Sequence, residues 1–191
     1  MSRKTIIYFV GSVFAIVGVA SAVLWGLKHA DDHLHADEIA KGTKVKLEEG
    51  VQVPDFKIQR FSSNSELIPI SKVGAKVTLV NFWASWCSAC LIEMPSIVRL
   101  RDKFNSRGLE VVALNVDTNP ASDIPPLLPR LGINFPVYLD PQGKVSDLFD
   151  VREIPLTFII DRTRTILAVA LGERDWDSRE VNLAMEKWLS Q

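Results

Sequence analysis

The chain holds two cysteines, Cys87 and Cys90, both inside NFWASWCSAC at residues 81–90. Two thiols three positions apart support three kinds of chemistry: reversible dithiol-disulfide exchange, a fixed covalent link, or part of a metal site. Cys87 falls where an apolar, β-rich run gives way to a helical pattern. At such a junction the unpaired N–H groups and positive dipole end of the helix favour a thiolate, lowering the thiol pKa below the ~8.5 of a free cysteine. Cys90, one helical turn further on, is placed to attack a mixed disulfide on Cys87 and release product, which completes a two-electron cycle. As a fixed link the pair closes a very small loop, where stabilisation through chain entropy is least. As a zinc site it lacks a second cysteine pair to complete four ligands, and the three histidines, His29, His33 and His35, lie far upstream. Copper(I) held by the two thiolates, as in a copper chaperone, stays open.

The neighbouring side chains suit the exchange chemistry. Glu93 follows Cys90 by three residues, so a helix puts its carboxylate on the same face, within reach of the thiol directly or through water. There it would tune Cys90 or accept its proton; the other reading is a solvated carboxylate on the helix surface. Trp86 directly precedes Cys87 and is expected to cover it, whereas Trp83 is expected in the core. Pro95 falls inside the helical stretch and deprives the Leu91 carbonyl of its N–H partner, which predicts a kink. Pro155, in Ile154-Pro155-Leu156, reads on its own as a proline at a strand start.

These residues need a scaffold, and the pattern from Val51 onward is that of one α/β unit. VPDFKIQRF alternates as a half-buried strand, with LIPISKV as its partner after SSNSE. KVTLVNFWA is near-continuously apolar, as a strand covered on both faces is. CLIEMPSIVRLRDKFNSRG carries Ile92, Ile97, Leu100 and Phe104 at helical spacing and ends at Gly108. LEVVALNVD is the next buried strand, so strand, helix and strand predict a right-handed crossover and a parallel pair. A short helix within 123–131, delayed by Pro125 and Pro126, precedes the strand PVYLD and the helix GKVSDLFD. LTFIID and TILAVALG form an antiparallel pair whose connection, RTR, lacks the glycine a tight hairpin prefers. DSREVNLAMEKWLS closes as an amphipathic helix with Val181, Leu183, Ala184, Trp188 and Leu189 inward. The expected fold class is α/β, a central mixed sheet with helices on both faces.

Residues 5–27 contain no charged side chain, and roughly 35 Å of helix is enough to cross a ~30 Å hydrocarbon layer. Arg3 and Lys4 precede this span and place the N-terminus in the cytoplasm. A signal peptide cleaved near Ala20-Ser21-Ala22 is the alternative, and both readings imply export. The expected organisation is a membrane anchor over 1–27, a polar stalk over 28–50 that holds the histidines, and a folded domain over 51–191. The whole chain carries a formal charge of -1, and without the first 27 residues it holds 20 basic against 23 acidic side chains. That balance excludes binding to nucleic acid through a basic surface.

NFWASWCSAC followed by LIEMP, the extra N-terminal strands, the insertion after the second strand of the parallel pair and VREIPLTFIID together resemble the membrane-anchored thioredoxin-like proteins of the TlpA/ResA type, over roughly residues 51 to 190. The resemblance implies a thioredoxin-like fold and thiol-disulfide oxidoreductase activity without a cofactor or metal. It implies that Cys87 is the exposed nucleophile and Cys90 the resolving thiol, that Glu93 matches the family's glutamate, and that Pro155 is the family's cis-proline. Trp86 and the Ile154-Pro155 backbone then face the substrate. It further implies a reductant of particular exported proteins, such as apocytochrome c or copper-site proteins, recharged by a membrane thiol transporter on the periplasmic or extracytoplasmic side; a disulfide-forming oxidant is the nearest alternative. Peroxiredoxins share the fold, but their P-x-x-x-T-x-x-C setting is replaced here by ASW before Cys87. Two features depart from the cytosolic thioredoxins: Asn81 stands where they have a buried aspartate, shifting proton acceptance to Glu93, water or the substrate, and Ser88-Ala89 separates the cysteines without a proline.

Overall fold

A computed structural model describes residues 44–61, 67–73, 75–140 and 142–191. The expected membrane span, stalk histidines, cleavage motif and SSNSE turn fall on residues outside those described. Among the described residues no helix is long and apolar enough to cross a membrane.

Seven strands form one sheet: β1 (Lys57–Arg60), β2 (Leu67–Pro69), β3 (Val77–Trp83), β4 (Leu109–Asn115), β5 (Val137–Leu139), β6 (Leu156–Asp161) and β7 (Ile166–Leu171). Their order is β2-β1-β5-β4-β3-β6-β7. The helices are α1 (Ser88–Phe104), α2 (Pro120–Asp123), α3 (Leu127–Leu131), α4 (Lys144–Leu148) and α5 (Arg179–Leu189). β3 pairs in parallel with β4 and antiparallel with β6, which puts Asn81 opposite Ala113 on one side and Thr157 on the other. All seven residues of β3 are buried, as a two-sided apolar strand requires.

Alternation along β3 divides the core. Leu79 and Trp83 face α1 and α5, packing with Met94, Ile97, Phe104 and Met185. Val80 and Phe82 face the opposite layer, where Phe149 stacks on Phe158 at 4.5 Å and meets Phe56 edge-on at 5.3 Å. Each such fully buried large side chain contributes about 1.5–3 kcal/mol. Because Asn81 shares the parity of Leu79 and Trp83, the strand directs this amide toward α1 as well.

Several expected elements come out shorter or turned. VPDFKIQRF is strand only over β1, and LIPISKV is strand only over β2 before a 3-10 turn at Ile70–Lys72. Asp55 draws that turn in, accepting from the Ser71 N–H at 3.0 Å and the Ser71 hydroxyl at 2.7 Å. Pro95 lies inside α1 without dividing it. Ile92 is not part of the buried stripe: it is 64% exposed. The inward row of α1 is Cys90, Glu93, Met94, Ile97 and Leu100, and Ile92 sits about 200° around the helix from Cys90. α5 shows the same rotation, with Leu183 exposed and Met185 fully buried in its place. The β6–β7 connection manages without glycine because Asp161 Oδ1 accepts from the Thr163 and Thr165 N–H groups at 2.8 and 2.9 Å. Arg164 takes the left-handed conformation there, at φ 67°. Its side chain donates to the Val53 carbonyl at 3.1 Å. Residues 44–50, expected in the stalk, hydrogen-bond to the domain through Val45 N–H to the Leu148 carbonyl and Gly50 N–H to the Ile166 carbonyl, both 2.8 Å.

Candidate functional site

β3 ends at Trp83 and α1 begins at Ser88, so the loop Ala84-Ser85-Trp86-Cys87 carries the chain from sheet to helix. Cys87 is the N-cap of α1 and is disulfide-bonded to Cys90. Its sulfur accepts from the Cys90 N–H at 3.2 Å. That amide is one of the helix-end donors with no partner in the helix ladder, so the same N–H would steady a thiolate once the bridge opens. Cys87 retains 7% exposure and Cys90 none. An incoming group therefore meets Cys87 first.

The loop is held from below by Asp117, just past β4. This carboxylate is 5% exposed. It accepts from the Ser85 N–H at 3.1 and 3.0 Å, from the Ser85 hydroxyl at 3.1 Å and from the Asn115 amide at 2.8 Å. Sequence reasoning passed over Asp117. Its position at the carboxyl end of the strand beside β3 was the available signal, since loops at these ends gather functional residues in α/β sheets.

On the other side, the segment before β6 brings Ile154 and Pro155 against the disulfide. The Ile154-Pro155 peptide bond is cis, and the Ile154 carbonyl oxygen lies 3.7 Å from the Cys87 sulfur. Pro155 is buried, and its carbonyl accepts from the Gly172 N–H at 2.9 Å. Trp86 does not cover Cys87 as expected. The residue is 69% exposed and lines an open groove of about 390 Å³ with Val116, Asp117, Val151 and Ile154. Trp83, by contrast, is fully buried in the core as expected.

Behind Cys90 lies a buried polar network. Glu93 is 2% exposed, so it is not a solvated surface carboxylate. Its Oε1 accepts from Asn81 Nδ2 at 2.8 Å, and its Oε2 accepts from the indole N–H of Trp176 at 3.0 Å and the Arg174 N–H at 3.3 Å. Asn81 also donates to the Thr157 hydroxyl at 2.8 Å, while its Oδ1 has no partner among the described residues. The described contacts of Glu93 are to these groups and not to sulfur, so the direct reach to Cys90 expected from helical spacing is not made in the bridged state. Burial pushes the Glu93 carboxyl above the ordinary 4.5; the hydrogen bonds from Trp176, Asn81 and Arg174 and the Arg174 charge pull it back. Asn81 thus stands in direct contact with Glu93. Trp176, Arg174 and Thr157 were not singled out from the sequence. An isolated tryptophan inside the polar run GERDWDSRE was the signal that could have found Trp176. Among the described residues no cluster of three or more histidine, cysteine or acidic side chains is arranged to hold a metal ion.

A sulfur-sulfur bond at a helix tip, with one sulfur nearer the surface, a shielded partner and a buried acid one turn away, is an arrangement that can exchange disulfides. Comparison with known proteins gives the same chemistry. Residues 50–169 match the AhpC/TSA family. The thiol-disulfide oxidoreductase ResA of Bacillus subtilis is 33% identical over 129 residues, spanning 68% of this chain and 70% of that protein. ResA of Geobacillus kaustophilus is 29% identical over 129 residues, 68% of this chain and 72% of that one. Among solved structures, one from Chlorobium tepidum described as a thiol:disulfide interchange protein DsbE superposes with a TM-score of 0.66 at 28% identity, covering 75% of this chain and 99% of that chain. The thioredoxin domain of a thiol-disulfide oxidoreductase from Bacteroides vulgatus superposes with a TM-score of 0.62 at 18% identity, covering 75% and 99%, a likeness of fold alone. The mixed sheet is thioredoxin-like.

Proposed function

Because the chain belongs to the AhpC/TSA family and is a thioredoxin-like thiol-disulfide oxidoreductase of the TlpA/ResA type, we propose that it reduces disulfides of particular exported proteins through the Cys87-Cys90 pair. The thiolate of Cys87 attacks one sulfur of the substrate disulfide, forming a mixed disulfide and releasing the other substrate sulfur as a thiolate. Cys90 gives up its proton and attacks the Cys87 sulfur; the second substrate thiolate leaves and the Cys87-Cys90 bond closes. The substrate gains two electrons and the dithiol loses two. No cofactor enters. Glu93 receives or tunes the Cys90 proton from one helical turn away, and the Ile154 backbone and the Trp86 ring present the groove in which substrate lies.

The observation that carries this reading is the placement of Cys87 at the cap of α1, 3.7 Å from the Ile154 carbonyl, beside an open groove. Substrates of the class of apocytochrome c or copper-site proteins fit the family resemblance, with a membrane thiol transporter returning electrons. The same reading has residues 1–27 anchor the chain in the cytoplasmic membrane, 28–50 act as a tether whose last residues, 44–50, are bonded to the domain, and 51–191 work on the extracytoplasmic side. A Cys90→Ser chain expressed in a bacterial host tests it, because Cys87 then keeps its substrate as a mixed disulfide. Cysteine-containing exported proteins bound through Cys87 and released by reductant are the expected catch. Substrates confined to the cytoplasm would overturn the assignment of side, and stoichiometric copper(I) binding by the wild-type pair without any trapped protein would overturn the reductant role.

A further inference from the structure

The segment between β7 and α5, residues 172–178, crosses the outside of α1 and is fastened to it along its length. At the surface Arg99 meets Asp175 at 3.7 Å and Asp177 at 3.2 Å, and Lys103 meets Asp177 at 2.6 Å. Exposed pairs of this kind add little stability each. The buried contacts differ in kind. The Trp176 N–H donates to the Ser96 hydroxyl at 2.9 Å, and that hydroxyl donates to the Glu93 carbonyl at 2.7 Å. The Trp176 ring, 2% exposed, ends with its indole N–H on Glu93 Oε2. Arg174 lies over the same ring at 5.4 Å and sends its own N–H to the same oxygen.

Filling space here needs an aromatic ring; it does not need a donor. A phenylalanine would pack against α1 and leave the carboxylate one hydrogen bond short. Burial alone does not assign a buried tryptophan donor a partner here, since the indole N–H of Trp83 has none among the described residues; the partner of Trp176 is the acid one turn from Cys90, and the backbone and side chain of the same residue grip consecutive turns of α1. We propose that Trp176 is a positioning residue for the thiol chemistry: its indole N–H holds the Glu93 carboxylate in a fixed place behind Cys90, where it can receive a proton. The inference rests on the role given to Glu93 above. The groups facing that carboxylate are Cys90 on its own helix, Asn81 on β3 with Thr157 of β6 beyond it, and Arg174 and Trp176 from the connecting segment; of these Arg174 is charged. Removing the indole donor leaves burial less opposed, so Glu93 takes up a proton at higher pH and offers Cys90 an occupied acceptor over a wider pH range.

The test uses the full chain as wild type, Trp176→Phe, Glu93→Gln and the double variant. Infrared difference titration reads the protonated carboxyl stretch of Glu93, identified by its loss in Glu93→Gln, and stopped-flow exchange with a model disulfide gives a pH-rate profile. In Trp176→Phe the carboxyl midpoint and the profile move upward together by about one pH unit, the size expected for one charge-assisted hydrogen bond, and Trp176→Phe adds nothing in the Glu93→Gln background. Should Trp176→Phe fail to fold, Ser96→Ala, which frees the Trp176 backbone, moves the midpoint in the same direction. An unmoved midpoint, or a rate loss from Trp176→Phe as large without Glu93 as with it, overturns the inference while leaving Glu93 its role. Exchange in Glu93→Gln equal to wild type at every pH overturns both.

Discussion

Replacing Asp117 with alanine strips the loop before Cys87 of its support, and the structure sets the size of the loss. Asp117 accepts from three groups: the Ser85 N–H, the Ser85 hydroxyl and the Asn115 amide. Asn115 is 1% exposed, so water cannot replace the lost acceptor, and an unsatisfied buried donor costs about 1–3 kcal/mol. Ser85 is half-exposed, and water regains most of what its two donors lose, leaving about 1–2 kcal/mol. Asp117→Ala should therefore lower stability by roughly 2–5 kcal/mol out of the ~5–15 typical of a domain. Asp117→Asn, which keeps one acceptor oxygen for the Ser85 N–H, should lose less. Urea unfolding of the oxidised proteins measures both, and disulfide exchange below the transition should slow because Ser85 lies two residues before Cys87. A loss under about 0.5 kcal/mol, the range of ordinary surface changes, would refute the claim that Asp117 holds the loop.

Two other outcomes follow from burial. Glu93 binds its proton more tightly folded than unfolded, so its contribution to stability is full below the unfolded value of 4.5 and is lost as pH rises through the raised folded value. Relative to wild type, Glu93→Gln should gain stability as pH rises from 4.5 to the raised folded value and level off above it, measured by urea unfolding at several pH values; the unpartnered Asn81 Oδ1 lets that amide turn over and accept from the new glutamine. Met185→Ala should cost about 2–5 kcal/mol as a cavity in the core, whereas Leu183→Ala, 56% exposed, should stay within about 0.5 kcal/mol; thermal unfolding of the two variants separates them.

The order of strands and helices was legible because each apolar run has a period and a stop: β3 reads as two-sided, and the 3-10 turn Asn105–Arg107 that continues α1 stops at Gly108, whose φ of 109° suits glycine. The Cys87-Cys90 pair was legible for the same reason, since it straddles the change from one period to the other. Which face of a helix turns inward was less so. Ile92 and Leu183 are apolar side chains on the outer face of helices whose inner rows are already filled, and the choice is made by the sheet they pack on. The environment of Glu93 was hidden because its donors come from 12 residues upstream at Asn81 and 83 downstream at Trp176. Local spacing put the carboxylate on the face of Cys90, but only the meeting of β3, α1 and the segment before α5 makes it buried and occupied. Trp86 reads as a cover in sequence because it adjoins Cys87, yet a loop residue has no period to say which way it points.

The central claim is that Cys87 and Cys90 pass reversibly between a bridged and a dithiol form as one two-electron couple. Equilibration of the full chain in buffers of graded dithiol-to-disulfide ratio, quenched by alkylation and resolved by mass, reads this directly. The account predicts that two alkyl groups appear together, on a Nernst curve of about 30 mV per tenfold change in ratio. A chain that stays bridged across the full range, or whose thiols appear singly, would contradict it.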